Sequence, residues 1–537
     1  MPSGPQTSVT AQIASPARLA QIIENYLADH PAAALLEDGR VVFDMRTARY
    51  SIGEAHGRCL LQLWSEERNL VRTVVDVQER AQCLRISTRR MGAARPQTLE
   101  LVPTADRRTP TAREAARRNY QRLLERVLTR HFLSAKVDGL RSAMDLEHSF
   151  GPAYVRGRLL HGNSAEAVVG VGAAESSALA DGVLTIGILW LDYCRQRGDA
   201  RRHFGGLKVI VPAGAWRTTA ERMAWLNHSA AKFELYTLDE RSEELALVDF
   251  RDTGNLESRL VHAFSADAAI ERCSAGIARI LALIPEGARE RVELRAASPT
   301  EVGLLVHGLE FARVRHGVSA HSFSREDEVT FGAGANETPL TSENEELCHE
   351  LCGRLFLSRH RDGAPTDPLY RMQPERWLES ELRAEISELL HGLRGDLVCS
   401  QVPALSTGER GMLDLLTLDQ DSRLTVVELK ANEDLHLPLQ ALDYWIRVRA
   451  LNADRQVLNG AEPLSAFERQ GYFAGAAVSP REPRLLLIAP ALRIHPANEP
   501  VLRYFAPQID WELVALGEHW RRELKIVFRK RSSDKAT

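Results

Sequence analysis

The chain has 537 residues, 44% of them hydrophobic and 26% charged, with a net charge of −4. That length exceeds what one ordinary core organises and implies two to four domains. The balance is that of a soluble globular protein. The slightly acidic charge excludes a globally basic nucleic-acid binder, so any such surface must be local.

Seven cysteines are scattered at 59, 83, 194, 273, 348, 352 and 399. Without a dense framework they fit reduced thiols. The start has no basic region followed by an apolar run, and the longest apolar stretch, 183–191, is too short to span a bilayer. These features lead to the expectation of a cytoplasmic protein with no membrane partner.

In chain order, 1–33 reads as a loose start and a short helix. From 34 to 103 short alternating strands follow, with a hairpin turn at Asp38-Gly39. Residues 1–105 are expected to be an N-terminal β-rich domain. Next comes a linker-helix with eight arginines (107, 108, 113, 117, 118, 122, 126, 130), whose charges suit either a solvated face or phosphate contact.

An internal echo follows. In the middle of the chain, EAVVGVG precedes ILWLDYCRQR, the strand GLKVIVPAG, a helix and KFELYTLDE. In the C-terminal part, TVVELK precedes LQALDYWIRVR, the strand PRLLLIAPA, a helix and DWELVALGE. Leu442-Asp443-Tyr444 echoes Leu191-Asp192-Tyr193, and Trp511-Glu512-Leu513 echoes Phe233-Glu234-Leu235. Self-similarity of this kind predicts two copies of one α/β module. The expected boundaries are 106–265 for the first copy, 266–369 for a connecting α/β region and 370–537 for the second copy. In the connecting region, Ser342 with Glu345 three residues on predicts a capping box.

The second copy carries the chemistry. Asp414 sits in an apolar strand, a polar turn follows at 419–422, and the next strand ends in Glu428-Leu429-Lys430. Residues i and i+2 of a strand share a face, so Glu428 and Lys430 project together. The hairpin can bring Asp414 beside Glu428. Two such carboxylates repel unless a cation joins them, and hard oxygen donors suit Mg²⁺ or Mn²⁺. Lys430 is placed to orient a metal-activated water or relieve it of a proton.

This ordered set resembles the PD-(D/E)XK nuclease superfamily, with RecB-type and mismatch-type endonucleases nearest in flavour. Glu428-Leu429-Lys430 matches the (D/E)-x-K element, Asp414 the preceding aspartate, and Gln440 the glutamine of the following helix. Glu379 is the first choice for the helix glutamate, with Glu381 and Glu385 as rivals. Leu413 stands where the pattern has proline. The likeness covers about 120 of the 537 residues. It implies a restriction-endonuclease-like mixed sheet flanked by helices, and Mg²⁺-dependent hydrolysis of DNA in repair or defence. Asp414, Glu428 and Glu379 would hold metal, Lys430 would position water, and Gln440 would support the site.

Tyr444, Arg447, Arg521, Arg522 and Lys525 are candidate nucleic-acid contacts. Arg493 and His495 stand at an expected site rim. Paired cuts would favour a homodimer. The alternative reading is an inactive nuclease fold that binds nucleic acid or a protein partner. The first copy has Gly170-Val171-Gly172 in place of Glu-Leu-Lys, and Arg156 or Arg158 in place of Asp414, so it is expected to be catalytically dead. Cys348 and Cys352, one helical turn apart, read as core or surface thiols, since a zinc site needs four ligands.

Overall fold

The computed structural model of the chain describes residues 15–31, 33–37, 40–45, 48–55, 57–64, 69–80, 83–89, 97–103, 110–197, 202–252, 259–318, 325–334, 338–406, 409–457 and 462–534. The chain is mixed α/β, with four sheets and helices on their faces. It forms two compact units, 1–116 and 117–537.

The N-terminal unit is a seven-stranded sheet of antiparallel pairs. Helix Pro16–Asp29 packs on it through Leu19, Ile23 and Leu27, a spacing that lines one helical face. Glu37 and Arg40 pair across a hairpin whose turn, Asp38-Gly39, lies outside the described residues.

In the second unit, two sheets run through the same sequence of strand directions. In the middle of the chain, Lys136–Arg141, Tyr154–His161 and Ser164–Val171 form an antiparallel meander. His203–Pro212 and Lys232–Asp239 then continue the sheet in parallel, and Glu244–Val248 closes it antiparallel. In the C-terminal part, Cys399–Ser406, Glu409–Leu418 and Leu424–Leu429 form the meander. Arg484–Pro490 and Asp510–Leu516 are the parallel strands, and Ile526–Arg531 closes the edge. This sheet has one further strand, Arg259–Leu260, beside Cys399–Ser406.

The two sheets face one another across a single core. Helices Val183–Arg197 and Leu437–Ala453 are buried there with strand residues from both sheets, including Val169, Val209, Val426 and Leu487. By length and composition, Ser177–Arg197 could cross a membrane, but 67% of its apolar window is buried inside the unit. On the outer faces, Tyr120, Leu124 and Leu128 cover the middle sheet, while Trp377, Leu378 and Leu382 of helix Pro374–Leu389 cover the C-terminal one.

Between these halves of the chain lies a five-stranded antiparallel sheet, from Glu293–Ser298 to Thr338–Pro339. Its hairpin turn at His307-Gly308 uses two left-handed residues, φ 43° and 72°. The capping box expected from Ser342 does not form. The helix starts at Glu345, and Asn344 occupies the N-cap position. Cys348 and Cys352 are buried in this region's core as free thiols.

Candidate active site

Asp414 and Glu428 become neighbours through strand register. Leu415 pairs with Val427 and Leu416 with Val426, so the next step along the hairpin sets Asp414 opposite Glu428. Asp414 Oδ2 accepts a hydrogen bond from the Leu429 N–H at 2.9 Å. Lys430 Nζ lies 3.7 Å from Glu428, 3.9 Å from Glu375 and 3.9 Å from Asp434. The strand end is fixed from the other side as well, because the Lys430 N–H donates to the Ile488 carbonyl at 3.0 Å.

Burial sets the electrostatics. Glu428 is 3% exposed; among the described residues its Oε2 meets no N–H or O–H donor, and its carboxyl lies within hydrogen-bonding reach of the Asp414 carboxyl. Its carboxyl is pushed well above the usual range by burial and then by the charge of Asp414, and Lys430 only partly offsets this. Asp414 is raised to about 6, again mainly by burial; the Leu429 N–H and Lys430 pull against Glu379 and Glu375. The two acids therefore titrate as a pair. Burial alone would lower the Lys430 ammonium, but Glu375, Glu428, Asp434 and Asp414 raise it on balance. Lys430 is thus a fixed cation at neutral pH, suited to orienting and charge stabilisation rather than to accepting a proton.

Backbone strain marks the same place. The strand preceding Asp414 pairs through Ser400↔Leu415 and Val402↔Leu413, and Gln401 between them has φ 53°. A non-glycine residue in the left-handed region inside a strand costs about 1–3 kcal/mol. It turns the Gln401 amide toward helix Pro374–Leu389, where it donates to Glu379 Oε2 at 2.9 Å.

Glu379 is near the pair but differently engaged than expected. It is 1% exposed and bound by Arg295 at 3.2 Å, Arg376 at 2.9 Å and Gln401. The rivals are also held elsewhere. Glu381 accepts from His307, Trp377 and Arg361, and Glu385 pairs with Arg361. The helix carboxylate that reaches Lys430 is Glu375, one turn before Glu379 and half exposed. The sequence reading missed it. Its signal was the i, i+4 spacing, which puts both glutamates on one helical face.

On the following helix, Tyr444 is raised by burial and then by the charges of Glu428 and Asp414, which places it at the site. Gln440, half-buried, is one turn earlier on the same face. Arg447 lies 5.8 Å from the Tyr444 ring. The other basic candidates are committed elsewhere or peripheral. Arg521 stacks on Trp520, Tyr370 and Trp377 at 4.2–5.2 Å. Arg522 pairs with Asp362 at 3.2 Å, and the Lys525 carbonyl accepts from the Gly517 N–H at 2.9 Å. Arg484, Arg529 and Arg531 gather around buried Glu512, which lies in register with Leu486 and Val427 and so on the sheet face opposite Glu428. His495 lies 3.1 Å from Ser149 and 3.8 Å from Glu433, at the rim; Arg493 ends the short turn Ala491–Arg493 before it.

The middle sheet has no such pair. Ile210 is bonded in register with Gly170 and Tyr236, as Ile488 is with Leu429 and Val514. That register puts Val169-Gly170-Val171 in the place of Glu428-Leu429-Lys430, one residue earlier than the sequence alignment suggested. Arg156, opposite Val169, takes the place of Asp414. It is 1% exposed and donates to the Gly151 and Ala143 carbonyls at 3.0 and 2.6 Å, with its guanidinium over Phe150. Gly170 and Gly172 serve packing, since a Cβ on either would meet Tyr120 at 2.7 or 3.0 Å.

Among the described residues, no group of three or more His, Cys, Asp or Glu side chains is disposed to enclose a metal ion. The site offers instead two adjoining carboxylates, a third from Glu375 within reach of Lys430, and one orphaned buried oxygen. Compared with models of known protein families and with curated proteins, the chain finds no match.

Proposed function

We propose that the C-terminal half is a metal-dependent deoxyribonuclease of the PD-(D/E)XK kind, built on a restriction-endonuclease-like sheet that the chain carries twice. The observation that carries the proposal is the buried Glu428 carboxyl beside Asp414, with a Glu428 oxygen that meets no N–H donor among the described residues and Lys430 at the same strand end. An apolar core does not keep two adjacent acids and an orphan oxygen without a use that offsets their desolvation. The matching strand directions of the two sheets, with Glu234 and Glu512 both held by basic residues at equivalent places, support the duplication.

The donor set fits Mg²⁺ or Mn²⁺. Magnesium is commonly held by one or two carboxylates, with water and substrate phosphate completing the shell. Asp414 and Glu428 would hold it, and Glu375 is close enough to assist. When bound, such an ion supplies charge neutralisation at the scissile phosphate and acidifies water.

The protein's own residues divide the remaining work. The Leu429 N–H fixes the orientation of Asp414, and Lys430, kept protonated by its acidic neighbours, orients the incoming water and faces the charge that develops on phosphate. Tyr444, Gln440 and Arg447 line the helix beside it. One water is consumed per cut: its oxygen joins phosphorus, one ester P–O bond breaks, and the proton passes to the departing oxygen. The cytoplasm is the compartment this reading suits.

The test is incubation of circular single- and double-stranded DNA with the full chain in Mg²⁺, Mn²⁺ or EDTA, beside Glu428→Ala. Metal-dependent cutting lost in the variant supports the reading. DNA binding without cutting in either metal turns the reading to an inactive binding fold.

A further inference from the structure

The two halves of the second unit meet as the two subunits of a symmetric dimer would. Each long helix packs on the short helix of the other half: Val183–Arg197 on Asn498–Leu502, and Leu437–Ala453 on Arg217–Met223. At the junction Leu226 and Phe505 form an isolated antiparallel bridge. Each lies between its half's short helix and the start of its second parallel strand. The Asn227 N–H donates to the Tyr504 carbonyl at 2.7 Å, and the Ala506 N–H to the Trp225 carbonyl at 2.9 Å.

Side chains repeat the exchange in part. Arg222 pairs bidentately with Asp443 at 2.8 and 2.6 Å; at the equivalent position Asp192 accepts from Gln196 at 2.6 Å, and Arg503 of the other half pairs with Glu499 and lends Asp192 only a nearby charge. Arg449 sits 4.5 Å from the Trp225 ring, and Arg195 sits 5.8 Å from the Tyr504 ring. Contacts exchanged between corresponding elements of the two halves make an approximately isologous interface, which closes on itself and leaves the same patch unavailable to another copy.

We infer that the chain is its own dimer with one live centre, and that it cuts a single strand of duplex DNA, acting as a monomeric nicking enzyme. This rests on the nuclease reading above. A symmetric pair of sites would face the two strands of a duplex. Here the second position holds Arg156, Val169 and Val171, and Arg156 is locked to backbone carbonyls, so it supplies neither donors nor space for a cation. The internal interface already covers the patch that the two halves share, which a second copy therefore cannot use.

The experiment is a time course on supercoiled plasmid, beside single-stranded circles, with Mg²⁺ or Mn²⁺, with protein concentration varied and sedimentation measured over the same range. Open circles are expected as the primary product, at a rate first-order in a protein that sediments as a monomer. Linear DNA should follow only later, as independent second nicks. Linear DNA without an open-circle precursor, a rate rising with the square of concentration, or cutting confined to single-stranded circles would each overturn the inference while leaving the nuclease reading standing. No conversion in either metal, with Lys430→Ala indistinguishable from the parent, would remove the nuclease reading and this inference with it.

Discussion

Asp414 accepts a hydrogen bond from the N–H of Leu429, the residue between Glu428 and Lys430. One carboxylate thus holds the backbone that presents the other two site residues. An asparagine at 414 keeps an oxygen able to accept this bond while removing the charge. Asp414→Asn is therefore expected to fold normally and to lose about 10²–10³-fold in metal-dependent cleavage, the range seen when one charge-stabilising group is removed. Circular dichroism and a plasmid assay on the same preparation check it; near-parental cutting would remove Asp414 from the site.

The raised acids give the metal-free protein a distinctive pH dependence. Asp414 titrates near 6 when folded and near 4 when unfolded, so the folded form binds more protons between those values. Stability then falls as pH rises through that window. For Asp414 alone the loss reaches about 3 kcal/mol, and Glu428 adds in the same direction. In EDTA the melting temperature should drop from about pH 5 to about pH 7.5, Mg²⁺ should restore it at the upper end, and Asp414→Asn should flatten the curve. A metal-free melting temperature that rises across this range would contradict the buried-pair assignment.

Two glutamates on one helical face separate structure from chemistry. Glu379 is enclosed by Arg295, Arg376 and Gln401, so Glu379→Gln takes the counter-charge from the largely buried Arg295 and should cost about 3 kcal/mol, with the exposed Arg376 adding little. Glu375 is half exposed at 3.9 Å from Lys430. Glu375→Gln should leave stability within about 0.5 kcal/mol and lower cleavage at limiting metal. Chemical denaturation of both variants, with a Mg²⁺ titration of activity, distinguishes them. Equal destabilisation would mean that Glu375 is a structural residue too.

Much of this was legible in local pattern. Strand alternation and a short polar turn brought Asp414 onto Glu428, and the i, i+2 rule put Lys430 on the same face. The repeated Leu-Asp-Tyr and aromatic-Glu-Leu elements pointed to two similar modules. What escaped was non-local. Arg295, which claims Glu379, comes from a different sheet, and nothing in the helix sequence announces it. Arg521 looks free for phosphate in sequence, yet its neighbour Trp520 and two rings from a distant segment, Tyr370 and Trp377, take it up. The one-residue slip in aligning Val169-Gly170-Val171 has the same origin. Two glycines mimic a site turn, while register with Ile210 is set by a strand forty residues on.

The Arg222–Asp443 pair joins the two halves and tests whether they fold as one. Arg222 is 6% exposed, forked onto Asp443, and also donates to the Asp181 carbonyl. Asp443 raises the Arg222 guanidinium against the opposing effect of burial. Arg222→Ala removes the cation and leaves Asp443 facing the core, at a cost of about 3–5 kcal/mol. Because both halves share one core, the loss should move a single transition rather than split it into two. In a double-mutant cycle with Asp443→Ala, the coupling should be about 1–3 kcal/mol. Additive single effects, or separate transitions for the halves, would show that the interface is a contact between independent domains; strong coupling in one transition would show that the middle half, without a site of its own, holds the live one in place.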